Sequence, residues 1–204
     1  MLNKISSGIC SGILISIGGA VFLACDNKYV GAVMFTVALL CICIKGYSLY
    51  TGRIGFIVES HDKEYFGGLT LGLFGNAIGT VLCGYAVRFA IPNSGAAAEA
   101  LYAAKIAQSF PQTLIRGIFC GVLMYLAVSI YKEKNNVIGI IFCIPVFILA
   151  GFEHSIADLF YFAASGVVSL KAFGFIWTVI LGNSIGAVIL PLLMMKFKKD
   201  KING

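Results

Sequence analysis

The strongest constraint on the fold is an internal duplication. A Gly-Asn-x-Ile-Gly run occupies residues 75–79 and returns about 107 positions later at 182–186. Two further pairs of similar segments follow in the same order at nearly the same offset: 8–14 with 117–123, and 46–60 with 151–165. The chain is therefore predicted to contain two copies of one unit, about 1–95 and about 105–204.

The composition indicates that the unit is built for a membrane. Apolar residues make up 59% of the chain and charged residues 12%, which leaves too few polar groups to coat a soluble globule. A helix needs roughly 20 mostly apolar residues to cross the hydrocarbon. Six stretches qualify, three in each copy, at about 6–25, 29–58, 66–91, 106–131, 136–169 and 171–196. We predict an all-α membrane protein with one transmembrane domain, 1–204, and a path at the interface between the copies.

The odd number of spans in each copy determines the orientation of the two copies relative to the membrane. The chain enters the second copy from the opposite face, so the two three-helix repeats are inverted relative to one another. Basic residues near span ends mark the cytoplasmic face. We therefore expect a multi-pass protein of the inner or plasma membrane with both termini cytoplasmic. The basic residues on that side are Lys4, Lys63, Lys132, Lys134, Lys196, Lys198, Lys199 and Lys201.

The remaining composition does not indicate additional chemistry. The net charge of +6 follows largely from this asymmetry, so it does not indicate a nucleic-acid partner. The seven cysteines lie in or beside apolar spans without a Cys-x-x-Cys spacing, and we expect them to pack rather than bind metal or form disulfides. The first apolar segment lacks a small-residue cleavage pattern and is expected to be retained. We expect no metal and no cofactor.

The second and fifth stretches are predicted to be broken helices. The interruptions, 45–53 and 151–155, occupy equivalent places in the two copies. Non-helical backbone at membrane depth survives only where protein or a water-filled cavity supplies hydrogen-bond partners. Paired interruptions indicate a permeation site, because the N-termini of half-helices direct partial positive charge towards the membrane centre.

His154, at the second interruption, is the leading candidate for a functional side chain. It stands beside Glu153, and an ionisable group inside a membrane is a functional candidate by default. The alternative is a neutral histidine that only satisfies a carbonyl of the broken backbone. His61 lies among the charged residues 62–64 and is expected to be solvated.

Asn76 and Asn183 occupy equivalent positions in the third and sixth spans, between glycines that allow close helix contacts. Two roles are open for these amides. They can bond the open amides and carbonyls of a broken helix, or they can contact the substrate. The structural role is the preferred interpretation.

Residues 151–158, Gly-Phe-Glu-His-Ser-Ile-Ala-Asp, resemble the Gly-Phe-Glu-His-Ser-Ile-Ala-Asn signature of the formate/nitrite transporter family. Residues 49–52 resemble the family's Leu-Phe-Thr-Gly loop, and the two Gly-Asn-x-Ile-Gly runs resemble its third and sixth spans. The resemblance implies an aquaporin-like six-helix protomer in the lipid bilayer, assembled as a homopentamer with one pore per protomer. It implies passage of small monovalent anions, such as formate, nitrite or hydrosulfide, or of their neutral acids, and no enzymatic activity.

The resemblance also assigns residues to the pore. His154 corresponds to the central histidine and Thr51 to its hydroxyl partner. Lys105 corresponds to a vestibule lysine, with Glu153 near it. Ordinary core packing would explain each aromatic of the implied constrictions equally well. The implied constrictions are Phe35 and Phe147 on the outer side, and Leu39, Leu49 and Tyr50 towards the cytoplasm.

Several positions depart from the family pattern. An asparagine is replaced by Asp158, an asparagine is common where Gly121 stands, and an acidic residue is replaced by Ser48. Lys45 and Arg53 add positive charge beside the first interruption, which favours anions if these side chains face the path. An ion pair between Arg53 and Glu59 is expected equally with a role of Arg53 in the path.

The implied mechanism couples the anion to a proton. A bare anion entering an apolar constriction faces an idealised desolvation cost on the order of 20 kcal/mol. Lys105 and the half-helix dipoles would gather the anion, and a proton arriving near His154 would let it cross as the neutral acid. An unperturbed histidine has a pKa of about 6.5. The imidazole either transfers the proton or stays neutral and donates a hydrogen bond.

Two other functional classes are weighed against this one. A neutral-solute channel of the water or glycerol type shares inverted repeats and broken helices, but the chain lacks paired Asn-Pro-Ala motifs. An intramembrane hydrolase would need a nucleophilic serine in a Gly-x-Ser-Gly elbow, which is absent before His154. Labelling by a serine-reactive probe would revive the hydrolase.

Overall fold

The computed structural model is all-helical over the part of the chain that it describes. The backbone is described for residues 2–203 and the side chains for residues 2–195. The tail lysines assigned to the cytoplasmic face, in 196–201, therefore lie outside the described side chains. The helices are α1 (Leu2–Ala24), α2 (Lys28–Lys45), α3 (Tyr50–Arg53), α4 (Lys63–Ala90), α5 (Pro92–Ile106), α6 (Phe110–Lys134), α7 (Ile138–Leu149), α8 (Ser155–Ser165) and α9 (Leu170–Asn203), with a 3₁₀ helix at Ile54–Val58.

Five helices are long and apolar enough to cross a membrane. They are α1, α2, α4, α6 and the Leu170–Met195 part of α9. Large apolar side chains also cover the outside of the bundle, among them Phe89, Leu170 and Trp177. An apolar outer surface of this extent belongs in lipid or against other protein. The chain is therefore a multi-pass membrane protein.

The two interruptions lie close to the places expected from the sequence, at 46–49 and 150–154, although residues 50–53 of the first expected break form the helix α3. The helix α2 ends at Lys45, where Gly46 adopts a left-handed conformation with φ 68° and donates to carbonyls of the last turn. The segment between α7 and α8 turns at Gly151, with φ 72°. Positive φ values of this kind are accessible to glycine without steric cost. The predicted stretches 29–58 and 136–169 are thus each divided into a longer and a shorter helical part.

Glycines bring two helix pairs into backbone contact. In the first pair, α1 and α4, a Cβ on Gly12 would lie 2.5 Å from the carbonyl oxygen of Asn76. In the second pair, α6 and α9, a Cβ on Gly186 would overlap the carbonyl oxygen of Ile118. Side chains larger than hydrogen would therefore separate the helices. The repeated Gly-Asn-x-Ile-Gly runs lie at these two contacts.

The helix α5 is an element that the hydropathy pattern does not predict. It begins at Pro92, a residue suited to the first turn of a helix, and it packs beside α8. The following helix begins at Phe110 rather than at about 106, because Ser109 and Gln112 form a capping box there. The end of α5 carries Lys105 towards the second interruption.

Candidate functional site

Asn76 holds the backbone of the first interruption. Its Oδ1 accepts a hydrogen bond from the Tyr50 amide at 2.9 Å, at the start of α3. Its Nδ2 donates to the carbonyl of Ser48 at 2.8 Å and to that of Gly8 in α1 at 2.9 Å. One side chain therefore joins α4, α1 and the broken segment.

Asn183 makes the equivalent bonds at the second interruption. Its Oδ1 accepts from the Ser155 amide at 3.0 Å, and its Nδ2 donates to the carbonyls of Glu153 at 2.8 Å and Gly117 at 2.9 Å. Both asparagines are fully buried, and both amide hydrogens are engaged with backbone. This geometry corresponds to the structural role and leaves neither Asn76 nor Asn183 a hydrogen to offer a solute.

A single hydrogen bond joins the two interruptions at the centre of the bundle. Thr51 Oγ1 lies 2.8 Å from His154 Nε2. Thr51 is inaccessible to solvent and His154 is 2% exposed. The two side chains come from different copies of the repeat, 103 positions apart.

The neighbours of His154 determine where its proton resides. Nδ1 lies 3.1 Å from the Ala157 amide and caps α8. A backbone N–H can only donate, so Nδ1 is an acceptor and carries no proton. A neutral ring then holds its proton on Nε2 and donates it to Thr51 Oγ1. Adding a second proton would place an N–H at Nδ1 and break the helix cap.

Apolar rings pack directly beside this hydrogen bond. The Phe147 ring lies against the His154 imidazole with centroids 5.6 Å apart, and Phe35 meets Phe147 edge-on at 6.2 Å. Leu39 and Leu49 are also almost completely buried. These side chains belong to one buried apolar cluster beside the Thr51–His154 bond, and we call this part of it the apolar layer.

A cavity of about 230 Å³ borders this layer, and we call it the Arg53 cavity. Leu39 and Leu49 line it next to the apolar layer. Arg53 and Lys132 line it as well, and no carboxylate is among its described lining residues. Arg53 donates to Ser48 Oγ at 3.3 Å. No ion pair between Arg53 and Glu59 occurs among the described side chains, so that expectation is not met.

A second cavity of about 200 Å³ also borders the layer, and we call it the Lys105 cavity. His154 and Phe147 line it next to the apolar layer, and no residue lines both cavities. The Thr51–His154 hydrogen bond therefore joins a segment whose neighbouring residues Leu49 and Gly52 line the Arg53 cavity to a residue that lines the Lys105 cavity.

Three charged side chains meet in the wall of the Lys105 cavity. Lys105 forms ion pairs with Glu153 and with Asp158, the latter at 2.8 Å. Gln108 Nε2 donates to the other Glu153 oxygen at 2.7 Å, and Arg116 lies 4.0 Å from that oxygen. The pairing of Lys105 with Glu153 follows the sequence expectation. The sequence did not indicate Asp158 as a second partner of Lys105, nor Gln108 and Arg116 as neighbours of Glu153.

Tyr50 packs against the same buried cluster as Phe35, Leu39, Leu49 and Phe147, and its hydroxyl reaches the other copy of the repeat. Its hydroxyl lies 2.8 Å from Ser184 Oγ in α9, and Tyr50 is not among the residues that line the Arg53 cavity. Its ring packs with Ile54, Leu69 and Ala187.

Thr51→Val tests the central hydrogen bond without changing side-chain volume. The substitution leaves the buried Nε2–H of His154 without an acceptor, and we expect a loss of about 1–3 kcal/mol in the free energy of unfolding. Thermal unfolding of the purified protein in detergent measures it. The matched control is Thr36→Val, because Thr36 Oγ1 is buried and has no partner among the described residues. The control should be neutral or stabilising, and equal losses in both variants would contradict the proposed bond.

The chain matches the family model described as "Formate/nitrite transporter" over residues 1–197. A protein named formate-nitrite transporter from Plasmodium falciparum (isolate 3D7) is 24% identical over 243 residues, covering 98% of this chain and 79% of the relative. A second of that name, from Plasmodium ovale, is 27% identical over 192 residues, covering 78% of this chain and 60% of the relative. The chain thus spans less than two thirds of the length of the second relative.

A solved structure has the same fold. The structure described as a pentameric formate channel with formate bound superposes with a TM-score of 0.80 at 22% identity, covering 97% of each chain. The match extends over the helices and both interruptions, so the site lies within a known architecture.

Proposed function

This chain belongs to the formate/nitrite transporter family, and from that premise we propose that it carries small monovalent anions of weak acids across a membrane. Members of the family are transporters and channels, not enzymes. The observation that supports the proposal most directly is a pair of cavities that share no lining residue, each with basic side chains in its wall, beside one apolar layer that contains the Thr51–His154 hydrogen bond.

The proposed architecture has six spans arranged as two inverted repeats. The first repeat, about 1–95, contains α1, the broken pair α2 and α3, and α4. The second, about 105–204, contains α6, the broken pair α7 and α8, and α9. The equivalent bonds of Asn76 and Asn183 support this correspondence, as do the glycine contacts of α1 with α4 and of α6 with α9. The chain then forms one aquaporin-like channel domain.

The proposed path runs through the two cavities. With both termini cytoplasmic, the Arg53 cavity opens to the cytoplasm and the Lys105 cavity to the outside of the cell membrane. Phe35 and Phe147 form the outer part of the constriction, and Leu39, Leu49 and Tyr50 the inner part. Lys105 attracts the anion on one side, and Arg53 and Lys132 attract it on the other.

An anion crosses the apolar layer together with a proton. The free energy of desolvating a bare anion there is far larger than its attraction to the nearby cations, whereas a neutral weak acid avoids most of that cost. His154 stays neutral in this proposal, because protonating Nδ1 would break the α8 cap. Thr51 Oγ1 accepts a hydrogen bond from the Nε2–H of His154 and has no second described partner, so its own hydroxyl hydrogen is free to bond the solute.

We propose that the chain assembles as a homopentamer with one path in each protomer. The proposed substrate class is formate, nitrite and hydrosulfide. An apolar groove along α4, α8 and α9, lined by Phe74, Phe173 and Trp177 among others, supports burial against another subunit or lipid. The superposed structure is described as pentameric. A mass measurement in mild detergent that gave only monomers would contradict the assembly.

Flux in liposomes tests the function. The purified chain should transport formate, and a panel with nitrite, hydrosulfide, acetate and lactate should identify the preferred anion by size and acidity. Glycerol tests the alternative of a neutral-solute channel. Liposome swelling in glycerol without flux of any anion in the panel would replace the anion proposal by that alternative.

Arg53→Gln should weaken the entry of anions from the cytoplasmic side. Arg53 is exposed at the cavity wall, so water screens its charge, and we expect the half-saturating formate concentration to rise about two- to fivefold. Efflux from liposomes of defined orientation measures this, and the difference should shrink at high salt. Lys134→Gln removes the same charge from the exposed end of α6, outside the cavity lining. An equal effect of Lys134→Gln would show that only surface charge matters.

A further inference from the structure

The Lys105 cavity contains one buried oxygen that no described side chain or amide engages, Oδ2 of Asp158. Asp158 lies in the first turn of α8, lines the cavity and is 1% exposed. Lys105 approaches its Oδ1 at 2.8 Å, whereas Oδ2 has no hydrogen-bond partner among the described residues. A buried carboxylate oxygen without a donor is unfavourable when the group is ionised. Oδ2 therefore requires a proton or a ligand that supplies one.

The charges in the cluster make an additional proton favourable. Lys105 is shared by two carboxylates, Glu153 and Asp158, both almost completely buried. If both were ionised, the cluster would carry a net negative charge before any anion entered. Arg116 does little to correct this, because it lies 4.0 Å from Glu153 and its side chain is 45% exposed. With one proton bound, the cluster is neutral and an anion can approach Lys105.

The geometry distinguishes which carboxyl group holds that proton. Glu153 receives a donor on each oxygen, Gln108 on one and Lys105 on the other, so its ionised form is fully satisfied. Asp158 receives a donor on one oxygen only. The other titratable groups around Asp158 are His154 and Tyr161 on its own element and Cys120 on α6, and none bonds Oδ2.

We propose that Asp158 binds the proton that crosses with the anion. Its Oδ2 takes a proton from water on the outer side and donates it in a hydrogen bond to the anion beside Lys105. The O–H bond of Asp158 then breaks as an O–H bond forms on the substrate, which enters the apolar layer as the neutral acid. The Asp158 carboxylate stays paired with Lys105 until water returns a proton. This inference rests on the proposed function, and it deepens that function by placing the proton donor in the outer cavity.

Asp158→Asn tests the proposal, with Asp26→Asn as the matched control. Asparagine has nearly the same shape, and the family pattern carries it at this position. Asp26 is exposed in the loop between α1 and α2, outside the cavity lining. Infrared spectra at neutral pH should show the carbonyl stretch of a protonated carboxyl group in the wild type and in Asp26→Asn, and its loss in Asp158→Asn. Absence of that band from the wild type, or its persistence in Asp158→Asn, would overturn the proposal.

Formate flux at fixed total formate, measured from about pH 5 to 8, tests the donation step. The wild type should reach a plateau at the acidic end and fall about tenfold per pH unit above it, as Asp158 loses its proton. Asp158→Asn should lack the plateau and be at least about tenfold slower at the acidic end. Identical pH profiles in the three proteins would refute donation by Asp158. Absence of all anion flux from the wild type would instead overturn the proposed function, and the infrared band would still report on Asp158.

Discussion

Gly186→Ala will destabilise the protein by about 2–3 kcal/mol, despite the higher helix propensity of alanine. The new methyl group would overlap the carbonyl oxygen of Ile118, which belongs to the backbone of α6 and cannot rotate away. The helices α6 and α9 must therefore separate. Because Asn183 lies in the same turn of α9, the separation also disturbs the bonds that hold the second interruption. Thermal unfolding and the yield of folded protein on size-exclusion chromatography measure the effect.

Gly174→Ala is the matched control for this prediction. Gly174 lies in the same helix, and no atom of a neighbouring element would lie within 4 Å of its new Cβ. Alanine at this site should be neutral or stabilising by up to about 1 kcal/mol. If Gly186→Ala unfolds at the same temperature as Gly174→Ala, then α6 and α9 do not pack through backbone contact in the membrane protein.

His154→Phe will reduce formate flux about 100-fold, the scale expected when one buried donor is removed from a transport or catalytic centre. Phenylalanine fills the space beside Phe147 but has no nitrogen to bond Thr51 or to cap α8. Flux should be measured in liposomes across about pH 5 to 8, with protein insertion checked for each variant. Flux equal to the wild type with an equal pH dependence would eliminate the imidazole from the mechanism.

His154→Asn separates the polar role of the side chain from its capping role. Asparagine is among the best N-cap residues, so α8 should keep its cap and the protein its stability. The shorter side chain does not reach Thr51 as the imidazole does, and flux should stay low. His154→Phe, by contrast, should also lose about 1 kcal/mol with the cap. Full flux in His154→Asn would show that the histidine serves only to start the helix.

The framework of the fold could be predicted from the sequence because its signals are local. A repeated glycine marks each interruption, at Gly46 and Gly151, and the repeated Gly-Asn-x-Ile-Gly marks each close helix pair. The helix α5 was missed because it is rich in alanine and short, so it gives neither the length of a span nor a strong apolar face.

The partners of the charged residues could not be predicted, since they depend on where distant elements meet. Lys105 lies near the end of α5, and its second partner Asp158 lies one turn into α8. Neither spacing nor the family pattern, which has asparagine there, indicates the contact. The contact of Tyr50 with Ser184 could not be predicted for the same reason. Tyr50 adjoins Leu49 in the chain, yet its hydroxyl bonds Ser184 in the other copy of the repeat.

Asn76 and Asn183 fix the backbone of the two interruptions without contributions from the apolar side chains packed around it. Asn76 and Asn183 hold the broken segments through bonds to main-chain atoms, and those atoms are present whatever residues stand at Phe35, Leu39 or Phe147. A residue of the apolar layer can then be replaced while the backbone of the interruptions keeps its position. Under the proposed function, few substitutions in the apolar layer would then be enough to change which solute passes, with the backbone of the interruptions unchanged.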